Sequence, residues 1–248
     1  MDLATTLYAV VIIFLAAIVR GFSGFGFSLI AITALSLVVA PVEIIASIFL
    51  MEIAASLHLL PGVWREIRWR PVAMLLAGTV IGTPAGVWLL AHVAPSTMRI
   101  ALAVFVLTAG ALLARGFALR SMPGPLATLS TGAAAGLLNG AFGIGGPPLI
   151  LFFFSSPAGA AAGRASLIAL FLGVDVVGLA TQGGADLISL DHVWRAALFL
   201  PALLAGVAIG ARGFRSVDPD TFRRIVLGIL ALMAVATGLQ GALALLPG

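Results

Sequence analysis

The feature that most constrains this chain is the length of its uncharged stretches. No charged side chain occurs between Ser121 and Gly163, and only 9% of the 248 residues are charged. A soluble domain of ordinary composition has about a quarter charged residues. Because 62% of the residues are hydrophobic, the chain lacks the polar surface that water requires. We predict an all-helical integral membrane protein.

Length and charge limit what else the chain can contain. At about 20 residues per crossing, it has room for eight to ten membrane-embedded helices and no separate soluble domain. All 13 basic residues are arginines. They lie at segment ends, where they act as topology signals, so no nucleic-acid partner is indicated. The start, Met1-Asp2, has no basic region and predicts no cleavable signal peptide.

The residue types that most chemistry needs are missing or isolated. Cysteine is absent, and His58, His92 and His192 stand alone near segment ends. A metal site is therefore not expected. A chain without lysine cannot contain the phosphate-binding P-loop sequence. No nucleophile–base pair stands out, so we expect neither a cofactor nor an enzyme.

Two glycine motifs interrupt the apolar sequence, GFSGFGFS at Gly21–Ser28 and NGAFGIGGPP at Asn139–Pro148. Their glycines correspond at a constant spacing of 119 positions, and similar spacings relate other residues of the two halves. The corresponding pairs are Gly21 with Gly140, Gly24 with Gly143, Gly26 with Gly145, Glu52 with Asp175, and Trp69 with Trp194. We infer two repeats of about 120 residues, 1–120 and 121–248, in a single membrane domain, as in many transporters.

The charges of corresponding loops predict that the repeats are inverted. Loop 64–70 has three arginines, whereas its counterpart 183–194 has two aspartates and no arginine. Loop 212–224 has four arginines, and its counterpart near Pro95 is nearly neutral. Because cytoplasmic loops are rich in arginine, each half must cross the membrane an odd number of times. Both termini are then outside, and we expect a bacterial inner membrane.

Some segments next to the glycine motifs are too short to cross a membrane. Segment 27–40 would be about 21 Å long as a helix, whereas the hydrocarbon core is about 30 Å thick. It is either an oblique span or one arm of a re-entrant hairpin. Other spans are predicted at 71–91, 100–114, 196–211 and 225–245.

Each glycine motif is predicted to be a break between two helices. Gly21 and Gly140 stand where a left-handed C-cap could end the first helix, and Pro147 suits the first turn of the next. A helix N-terminus with free N–H groups is an anion site, and glycines let a ligand approach the backbone. The alternative is that these glycines only allow close helix packing.

We therefore predict an anion site near the membrane midplane, between the two motifs and about a pseudo-two-fold axis. The phenylalanines are expected to pack or gate more than to bind. The predicted substrate-binding residues are Gly21, Phe22, Ser23, Gly24, Phe25, Gly26, Ser28, Asn139, Gly140, Gly143, Gly145, Gly146 and Pro147.

The stretches RGFSGFGFSLIA and NGAFGIGGPPLI, about 120 residues apart in a small helical chain, resemble the sulfite exporter TauE/SafE family. The resemblance covers nearly the whole chain, and the second motif is the more specific of the two. It implies export of sulfite, organosulfonates or related small anions, without fixing which one. Phe27 and Ser28 stand where many relatives have glycine or alanine, which implies a tighter pocket in the first half.

Four polar residues are predicted to couple or gate transport: Arg20, Glu52, Asp175 and Gln182. An acid inside a membrane helix is costly, and it indicates a proton relay, a cation site or a gate. The alternative is a structural hydrogen bond or a pair with an arginine. Gln182 lies two helical turns after Asp175, or simply at a polar helix end. Arg20 is a counter-charge for an anion if the first motif is re-entrant, and otherwise a topology signal.

The function that these features favour is a secondary transporter of a small anion, working by alternating access between the two halves. Its other partners would be the lipid bilayer and a proton or another coupling ion. An anion channel of the same architecture is one alternative. A cation or metal permease that uses Glu52 and Asp175 is another, and an intramembrane enzyme or assembly subunit is a third.

Overall fold

The computed structural model describes residues 3–35, 38–39, 43–92, 108, 123–154 and 159–218, and residues 221, 224, 225, 228, 232, 235 and 239. Across the segments with assigned elements it is built from helices, with no strand, so the all-helical class is confirmed. The helices are α1 (Leu3–Ser23), α2 (Phe27–Leu35), α3 (Ile45–Val63), α4 (Trp69–His92), α5 (Pro125–Phe142), α6 (Gly146–Phe154), α7 (Ala160–Gly184) and α8 (Leu190–Arg215), with a 3-10 turn at Trp64–Glu66.

Five of these helices, α1, α3, α4, α7 and α8, are long and apolar enough to cross a membrane. The predicted span 71–91 corresponds to α4, and the predicted span 196–211 lies within α8. The predicted spans 100–114 and 225–245 fall outside the continuously described residues.

Exposed tryptophans mark the two ends of α4. Trp69 lies in its first turn and contacts Trp64, and Trp88 lies near its last turn. Trp88 lies 19 positions after Trp69, which corresponds to about 28 Å of helix and matches the thickness of the hydrocarbon core. Tryptophan prefers the membrane–water interface, so α4 has the dimensions of a complete crossing.

Glycines bring α4 and α5 into backbone contact. A Cβ atom at Gly82 of α4 would lie 2.0 Å from the carbonyl oxygen of Ala133, so only glycine fits there. The contacts advance in the same direction on both helices, which are therefore parallel. The other glycines of this seam are Gly78 and Gly86 on α4 and Gly132, Gly136 and Gly140 on α5.

Helices α1 and α8 form a second parallel pair of the same kind. Gly206 and Gly210 of α8 meet the backbone of α1 at Phe14 and Ile18, and Gly21 of α1 meets Val207. Because these small residues let the helix backbones approach closely, the apolar surface between each pair is fully excluded from lipid.

The prediction that Gly21 and Gly140 are C-caps is wrong. Both lie inside helices, α1 and α5, where they allow close helix packing. The left-handed residues are the next glycines of each motif, Gly24 with φ 82° and Gly143 with φ 67°. Each closes its helix by donating its N–H to the carbonyl of the residue four positions earlier, Arg20 or Asn139.

Helices α3 and α7 cross the middle of the molecule in opposite directions. Phe49 near the start of α3 packs at Gly178 near the end of α7. At the other end, the N–H of Arg68 donates to Ser166 Oγ near the start of α7, at 2.9 Å.

The short helices α2 and α6 follow the glycine breaks and have nine residues each, which is about 14 Å of helix. Neither can cross a membrane alone. The Tyr8 hydroxyl donates to the carbonyl of Ala34 at 3.0 Å, so α2 turns back along α1. The first motif is therefore the tip of a helical hairpin.

Candidate functional site

The last turn of α1 places Arg20 in the interior, with none of its surface exposed. Its guanidinium donates to the Gly24 carbonyl and, at 2.7 Å, to Ser56 Oγ of α3. Its Nε atom lies 3.0 Å from Glu52 Oε2. The Phe171 ring of α7 lies under the guanidinium, with its centroid 4.8 Å from Cζ. Four elements therefore hold one buried positive charge.

The Glu52 carboxylate connects this arginine to the start of α2. Its Oε1 atom accepts a hydrogen bond from the N–H of Ser28 at 3.1 Å, in the first turn of α2. A negative charge is favoured at this point because the first N–H groups of a helix have no partner within the helix. Glu52 is 1% exposed, so the carboxylate is held in a site made of an arginine and a helix N-terminus.

The second buried acid, Asp175 of α7, lies in the same electrostatic environment. It is 2% exposed and interacts with the charges of Glu52 and Arg20. Its Oδ2 atom has no hydrogen-bond partner among the described residues. Arg20, Glu52 and Asp175 are thus three buried ionisable groups that interact electrostatically, and together they are called the charged cluster.

The second glycine motif is braced by Asn139, which occupies the position that corresponds to Arg20. Its Oδ1 atom accepts from the N–H of Gly145 at 3.2 Å, and its Nδ2 atom donates to the Val174 carbonyl at 3.4 Å. A Cβ atom at Gly146 would lie 3.5 Å from Phe171 Cζ. The start of α6 therefore approaches Phe171, the same ring that Arg20 covers.

The two breaks differ in what they can offer an anion. The first has the N–H groups at the start of α2 and the guanidinium of Arg20. In the second, Pro147 and Pro148 have no N–H group, and the N–H of Gly145 is already bonded to Asn139. The donors and the positive charge are therefore concentrated at the first motif.

Several of the predicted substrate-binding side chains make contacts within the protein. Ser23 Oγ donates to the Val19 carbonyl at 2.8 Å. The Phe22 ring packs edge-on against Phe214, and the Phe25 ring packs against Phe154. The glycine at position 26 has φ 90° and is buried.

Gln182 is buried but stands apart from the charged cluster. It lies seven residues after Asp175 on α7, which is about 10 Å along the helix axis. It belongs to the last turns of α7, where its carbonyl accepts from the N–H groups of Ala185 and Leu187.

Arg164, near the start of α7, is a buried residue that sequence reasoning missed. It is 4% exposed and donates to the carbonyls of Phe22, at 2.9 Å, and Gly21. These carbonyls belong to the last turn of α1, where carbonyl groups have no hydrogen-bond donor within the helix. One signal was available, because Arg164 is the first charge after the long uncharged stretch and lies inside an apolar segment.

Comparisons with known proteins identify the family and two relatives of this chain. Residues 9–237 match the family model described as "Sulfite exporter TauE/SafE". The chain is 30% identical over 217 residues to the "Probable sulfite/organosulfonate exporter TauE" of Cupriavidus necator, covering 84% of each chain. It is 27% identical over 180 residues to the "Probable inner membrane transporter protein TsaS" of Comamonas testosteroni, covering 71% of this chain and 73% of that protein. No solved structure matches significantly.

A match to the family model over most of the chain decides the broad class. The family consists of membrane transporters, so the chain is a transporter and not an enzyme. The buried charges, the helical hairpin and the membrane-crossing helices fit that class. The chain belongs to the sulfite exporter TauE/SafE family.

Proposed function

We propose that the protein is a secondary transporter that exports a small oxyanion, such as sulfite or an organosulfonate, across a bacterial inner membrane. The anion binds at the first glycine motif, between Arg20 and the N-terminus of α2. The observation that carries the proposal is a fully buried arginine that one carboxylate, Glu52, links to the N–H of Ser28 in the first turn of α2. The printed names of the relatives support the substrate class.

The chemistry of this site suits an oxyanion better than a cation. A guanidinium presents several N–H donors in a plane that matches the oxygens of carboxylates, phosphates and similar groups. In a cation or metal permease, Glu52 would serve as a ligand. Here Glu52 already lies 3.0 Å from Arg20, and that positive charge would repel a cation bound beside it.

Burial favours a carrier over an open channel. Arg20 has no exposed surface and Glu52 is 1% exposed, so an anion reaches them only after the surrounding helices move. In a carrier such a movement accompanies each transport cycle. Counterflow of a labelled anion in liposomes distinguishes the two, since a channel shows conductance without counterflow.

The packing is what an inverted repeat would produce. The parallel pair α1–α8 corresponds to the parallel pair α5–α4 when the two predicted halves are exchanged. Helices α3 and α7 also correspond, and they run in opposite directions. Inverted repeats with broken helices at a central site are common in transporters that work by alternating access.

An arginine-lined depression supports entry from the cytoplasmic side. It is lined by Arg65, Glu66 and Arg68 after α3 and by residues 159–162 at the start of α7, and it encloses about 640 Å³. Arg164, which contacts the first motif, follows one turn later on α7. A cleft with positive residues attracts anions toward the site.

Removal of the Arg20 charge tests the proposal. Purified protein with Arg20→Gln is expected to lose at least about tenfold in sulfite binding and in liposome flux, since a close charge pair contributes more than that. The matched control is Arg195→Gln, because Arg195 is partly exposed and pairs with Glu43 at the surface. Folding is checked by size-exclusion profile and melting temperature.

The panel of anions contains sulfite, a sulfonate, sulfate, a carboxylate and chloride. Wild-type binding and flux with none of them would remove the proposed function. Full sulfite flux in folded Arg20→Gln protein, at equal abundance, would instead move the site away from Arg20.

A further inference from the structure

We propose that the Glu52 carboxylate is a built-in competitor of the transported anion. In this state it occupies the anion position between Arg20 and the N-terminus of α2, and the substrate binds by displacing it. The inference rests on the proposed function, and it assigns Glu52 a role in setting affinity in place of binding the substrate.

The Glu52 carboxylate occupies two groups that an oxyanion would also need. One oxygen accepts from the N–H of Ser28 at 3.1 Å, and the other lies 3.0 Å from Arg20 Nε. A sulfite or sulfonate group also presents two negatively charged oxygens, with a similar separation. The two groups therefore need the same donors, and both cannot hold them at once.

Arg20 is held in place by contacts that do not involve Glu52. Its other guanidinium nitrogens donate to the Gly24 carbonyl and to Ser56 Oγ. Phe171 supports the flat face of the same group, 4.8 Å away. When the carboxylate leaves, the guanidinium keeps its position and remains available to another anion.

The ion pair between Glu52 and Arg20 lacks an aligned hydrogen bond. Although the two atoms are 3.0 Å apart, neither Arg20 Nε nor Glu52 Oε2 has an aligned hydrogen-bond partner in the described part of the chain. Asp175, a second buried acid whose Oδ2 atom has no hydrogen-bond partner among the described residues, interacts electrostatically with both members of the pair. An aligned and bidentate anion would thus be bound more tightly than the carboxylate that it replaces.

The charged groups that face Glu52 are Arg20 from α1 and Asp175 from α7, and α2 contributes only the N–H of Ser28. Replacement of Glu52 by glutamine keeps an oxygen acceptor for Ser28 and removes only the competing charge. This variant separates competition from the shape of the site.

The experiment is a sulfite titration of purified wild-type, Glu52→Gln, Asp175→Asn and Arg20→Gln/Glu52→Gln proteins, read by calorimetry and by the rise in melting temperature. Glu52→Gln is expected to bind sulfite about tenfold more tightly or better, at the low end of the coupling between close charge pairs. Asp175→Asn should gain clearly less, because the N–H of Ser28 donates to Glu52 and not to Asp175. The double variant should show no gain, because the receiving charge is absent.

Equal or weaker sulfite binding by folded Glu52→Gln, beside a wild type that binds, would overturn the competition while leaving the proposed function in place. An equal gain from Asp175→Asn would also overturn it, since a general charge effect would then explain both. If neither wild type nor Glu52→Gln binds any anion of the panel, the inference and the proposed function fail together.

Discussion

Two buried arginines lie near the end of α1, and their partners give them different roles. Arg20 lies beside the acid Glu52, whereas the hydrogen bonds of Arg164 in the described part of the chain go to backbone carbonyls, and its guanidinium covers the Phe214 ring, with 4.3 Å from Cζ to the ring centroid. Carbonyls at a helix end need an external donor. We therefore expect Arg164 to fix the position of the first motif.

Arg164→Ala is expected to destabilise the protein by about 2–4 kcal/mol, because the carbonyls of Gly21 and Phe22 would lose their donor in the interior. The same change at Arg195, whose side chain is partly exposed and paired with Glu43, is expected to cost no more than about 1 kcal/mol. Melting temperature in detergent measures both. A smaller loss for Arg164→Ala than for Arg195→Ala would contradict the capping role.

The sequence predicted the acid pair but not its partners. Glu52 and Asp175 stood out because each is an isolated acid in an apolar segment and the two correspond between the repeats. Ser56 and Phe171 did not stand out, because a serine or a phenylalanine in a membrane helix is ordinary. Their roles depend on which helices meet, and that is decided by tertiary packing.

At the scale of helices, glycine contacts determine which elements can pack side by side. A Cβ atom at Gly82 would lie 2.0 Å from the Ala133 carbonyl, whereas one at Gly62 would meet nothing within 4 Å. Both glycines are helical, so they differ in surroundings and not in secondary structure.

Gly82→Ala is expected to lower stability by about 1–3 kcal/mol, because α4 and α5 would have to separate. Gly62→Ala should be neutral or stabilising by up to about 1 kcal/mol, since alanine favours a helix. Thermal unfolding of the two variants beside wild type makes the comparison. Equal melting temperatures would show that the α4–α5 seam tolerates a methyl group.

The sequence located the helix breaks correctly but assigned the wrong glycine as the cap. The first motif contains three glycines and the second contains four, and any of them can adopt a left-handed conformation. Gly21 is excluded from that role because it lies against Val207 of α8, a contact that sequence spacing does not reveal. Close helix packing, the alternative explanation, is what the structure shows for Gly21 and Gly140.

The same surroundings complicate a direct test of the glycine motifs. Gly24 has φ 82°, and a Cβ atom added there would lie 2.9 Å from Cγ of Arg164. A Cβ atom added at Gly145 would lie 2.9 Å from the Ala135 carbonyl oxygen. Leucine at either position would therefore disturb packing as well as any bound anion. Loss of transport in these variants does not isolate the site, which is why the tests above use Arg20 and Glu52.

For the whole molecule, the arginine distribution predicts that both termini lie outside. Loop 64–70 with its three arginines is then cytoplasmic, and α1 and α8 both run inward. A reporter that works only outside the cytoplasm is expected to be active when it is fused to either end. Activity of a C-terminal reporter that works only in the cytoplasm would contradict this orientation and the inverted repeat with it.

The two glycine-packed helix pairs also bear on how such a molecule can move. Each pair joins one helix from each predicted half, α1 with α8 and α5 with α4, through backbone contacts that exclude even a methyl group. Swinging one repeat as a rigid block against the other would break both seams in every cycle. In the proposed carrier we therefore expect the moving units to be the interlaced helix pairs and not the two predicted repeats.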